Sequence, residues 1–175
     1  MDGAKLLSSL AGDADEAAAS HAKELHTQYY EEMSSLLSPL PGALDLLGAV
    51  ADRGLQVVLA TSAPENELAI LRGLLGVEEI VSELTSSEDV ETAKPEPGIV
   101  RIALDKAGVD ADHAVFVGDS VWDVEASVAA GVPCIGVRSG GVSAAELIDA
   151  GAVAVYDDPA DLLANLDSSM VARLE

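Results

Sequence analysis

From Pro39 onward the chain repeats one pattern: a short apolar run, a longer amphipathic stretch, then a glycine. The runs Leu55–Ala60, Ala114–Val117, Pro133–Val137 and Ala152–Tyr156 have strand length, and Ile80-Val81 is a shorter strand candidate. Between them, helical patterns cover Ala43–Arg53, Glu65–Leu75, Pro97–Ala107, Val121–Ala130 and Ala144–Ala150. The glycines Gly54, Gly76, Gly108, Gly131 and Gly151 close them, and Pro159–Leu166 reads as a last helix. A chain punctuated in this way forms βα units around a mostly parallel sheet. Right-handed crossovers then place helices on both faces, giving an α/β, Rossmann-like core of three layers. Ligands of such sheets bind beyond the carboxyl ends of the strands.

The segment before this pattern differs. Residues 1–38 read as helical, rich in Ala, Glu, Lys, Leu and His from Glu16 onward, without strand-like alternation. Pro39-Leu40-Pro41-Gly42 breaks the helix and marks a domain junction. The expected organisation is a helical piece over 1–38 and an α/β core over 39–175.

Composition narrows the setting. Hydrophobic residues make up 49% of the chain but aromatics only 3%, so the core must be built from Ala, Val, Leu and Ile. No apolar run approaches the roughly 18 residues of a membrane span, and the first residues lack a charged-then-apolar export signal. The single cysteine, Cys134, rules out an internal disulfide framework and reads as a buried strand thiol. The cytoplasm is the default location. The 31 acids against 9 bases give a net charge of -22, which repels nucleic acid and anionic membranes, so neither is an expected partner. It also repels a phosphorylated substrate at long range. A phosphate site here needs local compensation from a metal ion, a lysine and backbone N–H groups.

Three motifs sit where such a site would form. Gly118-Asp119-Ser120-Val121-Trp122-Asp123 follows a strand. Its glycine permits a sharp turn, Asp119 offers oxygen ligands to a hard cation, and Asp123 lies one helical turn later. The plainer alternative is that Ser120 is an N-cap and Asp123 an acid favoured in the first turn; cap and metal roles are compatible. Thr61-Ser62 lies between a strand and a helix, where hydroxyls and N–H groups bind phosphate oxygens. Ser62 and Glu65 also have capping-box spacing, so Ser62 is assigned mainly to the cap and Thr61 is the stronger phosphate ligand. Lys94, followed by Pro95, Glu96 and Pro97, can aim its ammonium at a phosphoryl group or at paired acids. A plain surface lysine is the alternative. His21, His26 and His113 read as structural or surface residues, and Trp122 as packing beside the site.

Thr61, then Lys94-Pro95, then Gly118-Asp119 with Asp123 resembles the haloacid dehalogenase-like superfamily in its phosphatase branch. The resemblance covers residues 39–175, and residues 138–163 look like the tail of its phosphoglycolate-phosphatase-like members. Residues 1–38 resemble the later helices of their four-helix cap. It implies that Thr61 and Ser62 bind the transferring phosphoryl group and that Lys94 neutralises it. It implies that Asp119 holds Mg²⁺ with support from Asp123. The substrate class would be a small phosphorylated metabolite, and the chemistry an aspartyl-phosphate formed by an aspartate nucleophile and then hydrolysed.

The sequence departs from the family at one place. The family opens its core with a strand ending in Asp-x-Asp-Gly, which carries the nucleophile and the general acid/base. Asp13-Ala14-Asp15 follows no strand, Asp110-Ala111-Asp112 precedes its strand, and Asp2-Gly3 has only Met1 before it. The expectation is an N-terminally shortened phosphatase that starts inside the cap and is inactive or impaired. The absent strand would lie between those ending at Thr61 and Asp119, leaving inner edges open to self-association. The alternatives are a non-catalytic phosphate-binding or interaction module, and a phosphomutase on the same fold. A receiver domain would carry its acids before its Thr and Lys, the reverse of the order here.

Overall fold

The computed structural model describes residues 16–61, 63–76, 79–86 and 94–174. Ser62 and the acid pairs near the N-terminus lie outside them. The elements are α1 (Glu16–Met33), α2 (Ala43–Ala51), β1 (Val57–Leu59), α3 (Glu65–Leu75), β2 (Val81–Leu84), α4 (Gly98–Ala107), β3 (Phe116–Gly118), α5 (Val121–Ala129), β4 (Cys134–Val137), α6 (Ala144–Asp149), β5 (Ala154–Tyr156) and α7 (Pro159–Ala164). The glycine punctuation sets the helix ends. Gly76 and Gly108 take left-handed conformations at φ +58 and +67, which a side chain would resist. Val109 N–H then reaches back to Leu104 O at 3.2 Å and closes α4.

All strand pairs are parallel, in a two-stranded sheet β1-β2 and a three-stranded sheet β3-β4-β5. The register Phe116↔Cys134, Val117↔Ile135, Gly118↔Gly136 brings the ends of β3 and β4 side by side. Among the described residues no strand pairs with the other edge of β1 or of β3. Val117, midway along β3, is 42% exposed for a valine inside an α/β core. The strands are shorter than their apolar runs, as in β1, which pairs only over Val57–Leu59. Ile80-Val81 needs correction: β2 runs to Leu84. Its central Ser82 and Glu83 are exposed on an edge strand, so the apolar run gave no sign of its length.

Strand alternation divides β4 between two layers. Ile135 packs with Leu46 of α2 and Leu162 of α7. Its neighbour Cys134 faces Val124 of α5 and Leu147 of α6. Ile99 and Val100 of α4 continue that second layer against Ala126 and Val132. The result is the three-layer α/β core the periodicity implies, and Cys134 is the buried thiol expected, its pKa pushed up to about 12 chiefly by burial. Helix α1 meets the core at the first turn of α3, where His26 Nδ1 lies 3.5 Å from Glu67 and Asn66 Nδ2 donates to Glu31 at 3.4 Å.

Leu162 is fully buried between α2 and β4. Leu162→Ala is expected to destabilise the chain by about 2–5 kcal/mol in denaturant titration, from lost transfer energy plus a cavity.

Candidate active site

Lys94 connects the two sheets. Its Nζ donates to Asp123 Oδ1 at 2.6 Å and to the carbonyl of Ala60, just past β1, at 3.5 Å. The Phe116 ring of β3 lies 5.5 Å from the ammonium. Asp123 is fixed from its other side by Ser120, whose Oγ donates to Oδ2 at 2.6 Å and whose N–H donates to it at 3.2 Å. Asp123 N–H returns a bond to Ser120 Oγ, so the capping box at the start of α5 also aims this carboxylate. Gly118 is required by space here: a Cβ would collide with the Asp123 side chain.

Thr61 is held by Thr85, a fully buried residue at the end of β2. Thr85 Oγ1 accepts from Thr61 N–H at 3.0 Å and donates to Thr61 O at 2.9 Å. Thr61 Oγ1 accepts from Ala63 N–H at 3.1 Å, which leaves its own O–H free to serve as donor. The capping role expected of Ser62 is not met. Pro64 is the N-cap of α3 and Glu65 its first residue, so Glu65 is too early to be the third residue of a box. Ser62 itself lies outside the described residues.

Asp119 and Asp123 titrate in opposite directions. Burial pushes the Asp119 carboxyl up, and the Asp123 charge pushes it further, against smaller help from its own N–H and Lys94. Burial also works to raise Asp123. The Lys94 charge and the hydrogen bonds from Lys94 and Ser120 outweigh it and hold Asp123 below the ordinary carboxylate range. The Lys94 ammonium bonds to Asp123, so among the described residues an ionised Asp119 receives only the smaller share of its compensation.

Sequence and structure relatives identify the family. Residues 2–131 match the haloacid dehalogenase-like hydrolase family. The chain belongs to that family. It is 42% identical over 125 residues to a phosphoglycolate phosphatase of Rhodospirillum rubrum, covering 71% of this chain and 52% of the relative. The chain spans about half the length of the curated relatives it matches. A hydrolase from Pseudomonas syringae superposes with TM-score 0.89 at 32% identity, over 96% of this chain and 78% of that one. A putative beta-phosphoglucomutase from Thermotoga maritima superposes with TM-score 0.76 at 27% identity, over 96% and 77%.

The haloacid dehalogenase-like fold thus brings together Thr61, Lys94, Asp119 and Asp123 beyond the ends of β1 and β3. Asp119 and Asp123 are an all-oxygen set suited to Mg²⁺. Both oxygens of Asp123 accept hydrogen bonds, Oδ1 from Lys94 and Oδ2 from Ser120, whereas Asp119 is the acid pushed up by burial and by the Asp123 charge. The histidines stay outside, all exposed, with His113 beside Asp110 and Asp112 before β3, away from Asp119. Trp122 is partly buried in the first turn of α5. Thr85 was missed by sequence reasoning. Its signal was positional, a hydroxyl at the end of the strand next to β1, and ending β2 at Val81 concealed it.

Thr85→Val removes both bonds to Thr61 and leaves a backbone N–H and C=O unpaired. It is expected to cost about 1–3 kcal/mol in thermal or chemical melts, with Thr85→Ser close to wild type.

The raised Asp119 pKa means that the folded chain holds this proton more firmly than the unfolded chain. Ionisation then costs stability above the folded pKa, and below the unfolded value the cost is absent. Asp119→Asn is expected to raise the melting temperature of the metal-free chain at about pH 7. It should leave it unchanged at about pH 3, below the ordinary carboxylate range.

Proposed function

We propose that this chain carries the phosphate- and cation-binding half of a Mg²⁺-dependent phosphomonoesterase acting on a small phosphorylated metabolite. The observation that carries the reading is Lys94, its ammonium set between Ala60 O and Asp123 Oδ1 beside Asp119. The phosphoglycolate phosphatase of Rhodospirillum rubrum, 42% identical over 125 residues, supports a small acidic phosphomonoester as the substrate class. In this reading residues 1–38 are part of a helical cap and 39–175 the core. The net charge of -22 and lone buried Cys134 fit a cytoplasmic setting without nucleic-acid or membrane partners.

Each side chain has one task. Thr61 O–H donates to a phosphoryl oxygen, joined by Ser62 and the backbone N–H groups that open α3. Lys94 neutralises phosphoryl charge while keeping Asp123 in place. Asp119 ligates the cation and Asp123 fixes the geometry behind it. Bound Mg²⁺ would supply Lewis-acid neutralisation of the phosphoryl oxygens. The nucleophile of the aspartyl-phosphate route requires an Asp-x-Asp-Gly strand end, and the sequence contains none. The edges of β1 and β3 that are unpaired among the described residues would flank such a strand. The chain alone is therefore impaired or inactive in turnover while competent to bind phosphate. A phosphomutase is the second reading, favoured by the Thermotoga maritima neighbour. A phosphate-binding module is the third, favoured by the absent motif.

Two measurements test this. Inorganic phosphate titrated into the Mg²⁺-loaded chain is expected to bind, with affinity reduced about tenfold or more in Lys94→Ala, as loss of a charge-assisted contact implies. Binding indifferent to Lys94 would sink the phosphate site. Hydrolysis of an aryl phosphate by the folded chain is expected not to exceed that of Asp119→Ala. Turnover abolished by Asp119→Ala would instead show that the chain holds its own nucleophile.

A further inference from the structure

The 3-10 turn Arg138–Gly140 follows β4, and the β3–β4 register brings it to the sheet end that carries Asp119. Arg138 donates to Asp157 at 2.6 Å, and Gly141 N–H closes the turn on Arg138 O at 3.1 Å. The two adjacent glycines serve different needs. Gly141 has φ +78 and open space around it, so backbone conformation requires it. Gly140 has no such conformation. A Cβ there would collide with the Asp119 carbonyl oxygen and lie 2.9 Å from Asp119 Cγ, so close approach to Asp119 requires it. Next to it, Ser139 Oγ is buried without a hydrogen-bond partner, alone in this among the side-chain atoms of the described residues. A hydroxyl in that state costs stability, and its retention calls for a partner that the polypeptide does not supply.

We propose that this turn is a wall of the cation site. Gly140 is a positioning residue that seats Asp119, and Ser139 offers its hydroxyl to a water molecule held by the cation. The inference rests on the reading of Asp119 as a cation ligand. It adds two residues outside the three motifs, drawn from the segment Arg138-Ser139-Gly140-Gly141 that the rest of the site leaves unused.

The probe is Mn²⁺ alone, titrated into the full chain and followed by electron paramagnetic resonance, with thermal melts in parallel. Gly140→Ala is expected to weaken Mn²⁺ binding by about tenfold or more, as removal of support behind a metal ligand does. Gly73→Ala, at a helix glycine with nothing within 4 Å, is expected to bind like wild type. Ser139→Ala is expected to melt higher without metal, because a stranded hydroxyl is gone, and to bind Mn²⁺ more weakly. Ser139→Ala binding Mn²⁺ as wild type does would overturn the role of Ser139, even if Gly140→Ala fails to fold. Unchanged binding in a folded Gly140→Ala would overturn the role of Gly140. If Asp119→Asn also binds normally, the cation reading falls with it; if only Asp119→Asn loses binding, that reading stands and this inference fails.

Discussion

The Lys94–Asp123 ion pair is the contact on which the site depends. Its side chains are only 15% and 11% exposed, so both charges are largely withdrawn from water. Such a pair is tolerable only when further hydrogen bonds complete its partners, and removing one member costs about 3–5 kcal/mol. Here Ser120 satisfies Asp123 Oδ2 twice, and Ala60 O takes a second proton of the ammonium. The pair thereby joins the end of β1 to the first turn of α5, across two sheets that share no backbone ladder among the described residues. In a chain with 31 acids and 9 bases, this base is the one that meets Asp123 directly.

Local signals in the sequence were read well and distant ones poorly. Helix ends followed from glycines such as Gly76 and Gly108, because left-handed caps leave a mark on one residue. The convergence of Thr61, Lys94 and Asp119 followed from topology, since parallel strands deliver their carboxyl ends to one edge. Thr85 escaped because its two bonds to Thr61 span 24 positions and no periodicity records them. Ser62 was given a cap role from spacing alone, yet α3 starts after Pro64. Gly140 was legible only as part of a family-like tail, because its need for space arises from Asp119 across the β3–β4 pair.

The absent motif and an unpaired strand edge among the described residues coincide. The sequence has no Asp-x-Asp-Gly, and the described sheet lacks a partner for β3 where Val117 stands 42% exposed. The helices still close over both faces: α2 packs with α7 on one side and α4 with α5 on the other. The layers are thus held by helix–sheet burial, and the central ladder contributes less than in an uninterrupted sheet. That explains how Thr61, Lys94, Asp119 and Asp123 can be brought together although no described strand joins β1 to β3.

Donor counting shows what the placed groups can still do. An ammonium has three protons, and Lys94 uses two, so one remains for a phosphoryl oxygen without loss of either existing bond. Asp123 is engaged on both oxygens: Oδ1 accepts from Lys94 and Oδ2 accepts twice from Ser120, which leaves one acceptor site on Oδ1. Asp119, raised by burial and by its neighbour's charge, gains most from a cation, because the cation relieves both causes at once. The two acids therefore differ in their titration through their surroundings. The acid bonded to Lys94 and Ser120 is held low, and its neighbour, left with burial and a like charge, is pushed up.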